Sequence, residues 1–330
     1  MASSTAFPRR RRALALAAST LALLATGTVH AADPWPARPL KIIVPYPPGG
    51  SSDIIARSIA QPLSEALKQP VIVENRPGAN GNLGADAVAK SNPDGYTVLL
   101  CDVGALSISP SVYTKLSFDP SKDLRGVTML AYSPHLLVVH PSVKANNLQE
   151  LVALSKKEDL NFAVTASGSA PHLAGVALQR AVGARWTYVP YKGGAQSISD
   201  TVAGQTQILM NGMLATLPFV QSNKLKILAV SKATRMPLIG DVPTVAEQGV
   251  PGYESGTWQG VMVSRNTPEA VVQRLNQELI KVIRTPDTRS RLAGQGAEVV
   301  TMAPTELDGF FNKERTRWAK VVKDADIRLD

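Results

Sequence analysis

Cysteine is nearly absent from this chain: one residue, Cys101, stands in 330. That excludes a disulfide framework. Its place in the apolar run Thr97–Cys101 reads as a buried structural thiol rather than a nucleophile. Histidine is scarce as well, at four. Past the first 31 residues there remain His135, His140 and His172, none with a second histidine three or four positions away or an acidic cluster beside it, so no metal site is expected. Aromatics make up 5% of the chain and no Lys/Arg block is interleaved with them, which speaks against a nucleic-acid partner. The phosphate-cradling G-x-x-x-x-G-K-[ST] motif does not occur. Gly78-Ala-Asn-Gly-Asn-Leu-Gly84 has G-x-x-G-x-x-G spacing, which displaces the glycines that a dinucleotide turn requires. Ala166-Ser-Gly-Ser-Ala170 lacks the outer glycines of a nucleophile elbow, and His172 nearby does not make a triad by sequence proximity alone. No cofactor, no metal and no catalytic residue is expected.

What is present begins with a leader. Arg9 to Arg12 form a basic start, Ala13–Ala25 an apolar stretch too short to span a bilayer, and Val29-His30-Ala31 a small-residue cleavage site. Residues 1–31 therefore read as a signal peptide cut after Ala31, with Arg11-Arg12 leaving general and twin-arginine export both open. Loss of the four leader arginines lowers the formal net charge from +9 to +5. The remaining chain is long enough for two domains of ordinary size.

Short apolar runs then alternate with helical periodicity. Strands are expected at Ile42–Val44, Val71–Asn75 and Tyr96–Cys101, with helices at Ser51–Leu67 and Leu83–Lys90; Pro62 marks a kink or early stop in the first. Residues 102–132 read as irregular. A second alternating set follows: strands at Leu136–Val139, Asn161–Thr165, Trp186–Val189, Gln207–Met210 and Lys226–Val230, separated by helices, of which Leu148–Lys156 opens on a capping box at Asn147 and Glu150. Ser231–Gly256 is rich in glycine and proline, and helices resume after Pro268 and Thr305. Short links between alternating elements predict right-handed crossovers and largely parallel sheets flanked by helices, an α/β fold of two lobes. Lobe I is expected to comprise 32–132 and 256–330, and lobe II 133–255.

One pattern recurs at the strand ends. Pro45-Tyr-Pro-Pro-Gly-Gly-Ser-Ser-Asp53, Thr165–Ser169 and Tyr191-Lys-Gly-Gly194 each carry a strand through a Gly/Ser/Thr loop into a helix. Such loops present backbone N–H groups and the positive end of a helix dipole, which suits an anion, at the sheet edge where open α/β folds bind ligands. The loops contain no arginine, so neutral donors are expected to hold the anion. Tyr46 and Tyr191 suit either the cleft or packing, Trp258 either cleft or core, and Asp200 either ligand or solvent.

The Pro45–Asp53 loop resembles that of the Bug family, the periplasmic solute-binding proteins of tripartite tricarboxylate transporters. Further matches are Val73-Glu-Asn-Arg-Pro-Gly78, Gly81-Asn82, Asp94-Gly-Tyr96, Phe118-Asp-Pro120, Tyr191–Gly194, Asp241-Val-Pro-Thr244 with Glu247, and the Trp258 segment. The resemblance implies a non-catalytic Venus-flytrap protein, most simply a monomer, that holds a small carboxylate, aliphatic or aromatic, for the membrane components of such a transporter. It implies ligand contacts at Tyr46, Gly50, Ser51, Ser52 and Asn82 on one side. On the other it implies Ser167, Gly168, Ser169, His172, Tyr191, Gly193, Gly194 and Asp200. Tyr46, Asn80 and Asp102 depart from the family pattern, and with Trp258 are the positions where ligand choice would be set. An exported enzyme acting on carboxylates and a ligand sensor feeding a two-component system are the alternatives.

Overall fold

The computed structural model describes residues 35–329; the expected leader and its cleavage point lie outside them. Trp35–Ala37 belong to a short unit and carry no helix or strand, and the chain from Arg38 onward forms a compact second unit. That unit opens with β1 (Leu40–Val44), α1 (Ser51–Leu67), β2 (Val71–Asn75), α2 (Asn82–Ala89) and β3 (Thr97–Asp102). β1 pairs in parallel with both β2 and β3, as the two helical crossovers require. α1 runs through Pro62 rather than stopping there. Ile55, Ile59, Leu63 and Leu67 are all buried, so the apolar stripe continues past the missing N–H and holds the last turn in place.

A π-helical turn at Gly104–Ile108 and the short α3 (Ser109–Val112) lead into β4 (Leu124–Val139), a strand of 16 residues. The second set then follows as α4 (Leu148–Ser155), β5 (Asn161–Val164), α5 (Ala170–Val182), β6 (Thr187–Pro190), α6 (Gly194–Val202), β7 (Ile208–Gly212), α7 (Met213–Gln221) and β8 (Lys226–Val230). Half of the expected capping box forms: the Asn147 side chain accepts from the Glu150 N–H at 2.8 Å, whereas Glu150 accepts from the N–H of Asn146, one residue before the cap, at 2.7 Å. β5 lies parallel to β6 and β7, whereas β4 is antiparallel to β7 and β8. After an irregular stretch, β9 (Gly256–Ser264), α8 (Glu269–Ile283), α9 (Pro286–Ala293), β10 (Glu298–Val299) and α10 (Pro304–Ala325) complete the chain.

The described strands join in the order β2-β1-β3-β9-β4-β7-β5-β6, with β8 and β10 also on β4. The sheets are mixed because β4 and β9 run antiparallel to each other, and each to the parallel strands it meets. Residues 124–132 and 257–264 are therefore strand, where the sequence showed no regular period. Two irregularities in the β4–β9 register, between Gly126 and Thr128 and between Met129 and Ala131, break the alternation that a strand would otherwise display. β4 changes partners at one point. Through Pro134 it pairs with β9, and from His135 onward with β7 and β8.

Each sheet has its own core. Ile43, Leu99, Cys101, Leu106, Trp258, Phe311 and Trp318 belong to one cluster. Alternate residues of β4 divide the other sheet's two faces: Leu137 and Val139 pack with Phe162 and Met210, while Leu136 and Val138 pack with Ile198, Leu209 and Met213.

Candidate ligand site

Three strand ends deliver three helix starts to one place. After β1, the chain turns at Gly49, whose φ of +87° favours glycine, and enters α1 with Gly50 in extended conformation as N-cap. Asp53 folds back to accept from the Gly49 N–H at 2.9 Å and also takes bonds from Arg57 and Asn75. Burial works against its charge, but these donors outweigh that and hold its carboxyl below the ordinary range. The Asn75 amide also donates to the Tyr46 carbonyl at 2.9 Å, fixing the loop from behind. The first turn of α1 thus keeps the N–H groups of Ser51 and Ser52 free of intrahelical acceptors.

After β5, Ser169 caps α5 with its hydroxyl, accepting from the His172 N–H at 3.4 Å and donating to the Ala166 carbonyl at 2.7 Å. After β6, α6 starts at Gly194 with Gly193 extended before it. Asn211, at the end of β7, stands so close that a Cβ on Gly194 would lie 2.9 Å from its Nδ2. The Asn211 side-chain Oδ1 accepts from the Gly212 N–H at 2.9 Å, while its Nδ2 is buried without a protein acceptor.

The remaining wall comes from β3 and the turn before α2. The Tyr46 hydroxyl donates to Asp102 Oδ1 at 2.6 Å, and the same oxygen accepts from the Gly104 N–H at 2.8 Å. A Cβ on Gly81 would meet the Tyr46 hydroxyl at 2.9 Å, so glycine makes room for the phenol. Burial raises the Tyr46 phenol well above its usual range, with the neighbouring Asp102 charge adding to it. Burial likewise pushes the Asp102 carboxyl up, against the pull of these two bonds. Asn80, at φ +53°, donates from Nδ2 to the Gly168 carbonyl at 3.2 Å and so ties this wall to the loop before α5.

The cavity they line holds about 30 Å³, room for roughly two waters. Of the residues expected from sequence, Tyr46, Gly50, Ser51, Ser52, Ser169 and Gly194 line it. The others stand behind. Gly193 faces the Pro47 ring, and Gly168 lies against Val112 and Leu329. His172 turns its Nδ1 to the Gly168 N–H at 3.0 Å and packs edge-on against Tyr188, so it braces its own loop; burial lowers its pKa. Tyr191 stands near Asp200, and burial followed by that carboxylate raises the tyrosine. Asn82 is buried with no partner on either side-chain polar atom, and it and Ser167 lie outside the lining. Trp258 belongs to the core, edge-on to Phe310 and tilted against Phe311.

The lining adds Thr165, Pro171, Asn211 and Thr257 to the expected set, along with Asn80 and Asp102, both singled out as departures. Asn211 and Thr165 end strands just before a helix or helix-opening loop, so the strand-end rule that found the other loops would have reached them. Thr257 had no such signal, because β9 was not legible as a strand. Larger depressions occur elsewhere, one of about 560 Å³ beside Trp258 and Arg317, but neither a strand-end glycine loop nor a helix start opens onto it.

This arrangement can hold an anion by dipoles and neutral donors. Residues 55–327 match the family model described as the tripartite tricarboxylate transporter family receptor. The chain belongs to that family. Protein BugT of Bordetella pertussis is 35% identical over 321 residues, covering 96% of this chain and 98% of the relative. Among solved structures, the periplasmic binding protein BugD is 32% identical with a TM-score of 0.86, over 90% of this chain and all of that one. A Rhodopseudomonas palustris protein solved with adipate is 33% identical with the same TM-score, over 89% of this chain and 99% of that one. This receptor thus shares the two-lobed periplasmic-binding-protein architecture of its relatives.

Proposed function

We propose that this receptor is exported to the periplasm, its leader cut after Ala31, and there captures a small carboxylate for delivery to the membrane components of a tripartite tricarboxylate transporter. The observation that carries this reading is the convergence of the starts of α1, α5 and α6 on one cavity without a lysine or arginine in its lining. Partial positive charge and free N–H groups there favour an anion. Neutral donors favour reversible capture over ion pairing. The adipate held by one relative belongs to the same ligand class.

In this reading lobe I comprises 32–132 and 256–330, and lobe II 133–255. The β4–β9 crossing at Tyr132–Pro134 and Gly256–Trp258 serves as the hinge, since β4 exchanges one lobe's strands for the other's there. A catalytic role receives less support, because Ser169 and His172 already serve as helix cap and loop brace. Transfer of the ligand to a sensor in place of a transporter would use the same site.

The test is a thermal-shift panel of aliphatic and aromatic mono-, di- and tricarboxylates. A ligand at 100-fold its dissociation constant should stabilise by about 2.7 kcal/mol, which raises the Tm of a chain this size by several degrees. A clear shift from a sugar or a nucleotide, with none from any carboxylate, would sink the reading.

A further inference from the structure

We propose that Asp102 makes the site selective for carboxylates bearing a hydrogen-bond donor on the carbon chain, a hydroxyl or an ammonium group, over plain acids of equal length. The inference rests on the carboxylate reading above and deepens it.

The argument begins with charge. Asp102 is the one carboxylate in the cavity lining, and no cationic side chain lines the cavity to offset it. A carboxylate ligand drawn to the helix starts therefore meets a like charge on the facing wall of the cavity.

Asp102 is also built to present an acceptor. Oδ1 takes both protein bonds, from Tyr46 and from the Gly104 N–H. No bond to Oδ2 is made among the described residues. The neighbours hold the carboxylate in place without neutralising it: Tyr46 is buried, the Asn80 oxygen lies within 3.2 Å of the point where a Gly104 Cβ would sit, and Cys101 is a buried thiol. A hydroxyl or ammonium on the ligand turns this wall from a repulsive surface into a hydrogen-bond partner, and the charged donor makes the stronger bond. A plain acid leaves the carboxylate facing either an apolar CH2 or another anion. Sites that hydrogen-bond a ligand group reject the analogue lacking it far more sharply than apolar pockets discriminate by size.

Calorimetry at pH 7.5 on matched sets tests this: propionate, lactate and alanine; succinate, malate and aspartate; glutarate, 2-hydroxyglutarate and glutamate. In the set that fits, the plain acid should bind at least tenfold more weakly than its hydroxy or amino counterpart. Asp102→Asn keeps the shape and the oxygen that Tyr46 and Gly104 use, and should compress or reverse that order while circular dichroism shows the fold intact. Equal or tighter binding of the plain acid to the unaltered protein overturns the proposal, whether or not the variant folds. An unchanged order in folded Asp102→Asn overturns it too. Binding of no member, nor of any acid in the wider panel, overturns the carboxylate reading itself.

Discussion

His135 sits at the residue where β4 changes partners, and its surroundings make it a reporter of acid stress. It is fully buried, its Nδ1 lies 3.0 Å from the Ser255 hydroxyl, and its Nε2 has no partner. Burial lowers its pKa to about 3. In the unfolded chain a histidine titrates near 6.5, so between roughly pH 6.5 and 3 the unfolded state binds a proton that the folded state does not. Stability contributed by neutral His135 is present above the unfolded value and is lost as pH falls, by up to about 1.4 kcal/mol per pH unit. His172, also lowered by burial, acts in the same direction. Urea unfolding at pH 7.5 and 5.0 should therefore show a drop in stability that is smaller by about 2 kcal/mol in His135→Gln. An identical drop in both proteins would place a proton on the native histidine. None of this was legible in the sequence, where His135 was one of three isolated histidines. The cavity loops were legible, because Gly49–Ser52 and Gly193–Gly194 carry their chemistry in backbone groups that residue type alone implies. Side chains such as Asn211 and Thr257 acquire a role only through the packing that brings them to the cavity.

At the scale of elements, α10 is fastened to β9 by one carboxylate. Glu314 Oε2 accepts from the Trp258 indole at 3.3 Å and from the Trp318 indole at 3.0 Å, both rings buried. Removing that oxygen leaves two buried N–H groups without an acceptor, at about 1–3 kcal/mol each. Glu314→Ala should accordingly lower unfolding stability by about 2–4 kcal/mol and alter the near-ultraviolet dichroism of the tryptophans. Glu314→Gln, which retains an acceptor, should lose less than half of that. Equal losses in the two variants would assign the effect to packing or charge. The helix that carries this residue was visible in the sequence from its period, as were most helices and the short buried strands. The part of β4 before Leu136 and β9 were not: residues such as Arg125, Gly126 and Pro134, together with the register irregularities, interrupt the alternation on which recognition of a strand depends. The two lobes were inferred from the alternating sets, but the strand β4 that pairs into both sheets had to be seen.

For the whole molecule, the proposed capture of ligand by closure depends on how closely the two sides approach, and Gly193 marks one point of close approach. A Cβ built there would lie 2.6 Å from Pro47 Cδ and 2.9 Å from its Cγ, nearer than atoms in contact tolerate. The backbone at Gly193 is extended, with φ of 173°, so alanine is sterically welcome in its own loop. The clash arises only where the loop after β6 meets the loop after β1, and the rigid pyrrolidine ring cannot rotate aside as a flexible side chain would. Gly193→Ala is thus a wedge against the approach of the two loops and leaves each loop unstrained. Overpacking of this kind costs about 1–3 kcal/mol. Charged to the closed state alone, that cost weakens ligand affinity roughly 5- to 150-fold. The Tm without ligand should stay nearly constant if the open form predominates there, and small-angle scattering with saturating ligand should show a larger radius of gyration than the unaltered protein. Unchanged affinity would mean that the Pro47 loop yields at little cost and that closure is governed elsewhere. A fall in the unliganded Tm equal to the loss in binding energy would mean that the two loops already touch without ligand. In that case selectivity would lie in the shape of a preformed cavity rather than in the closing movement.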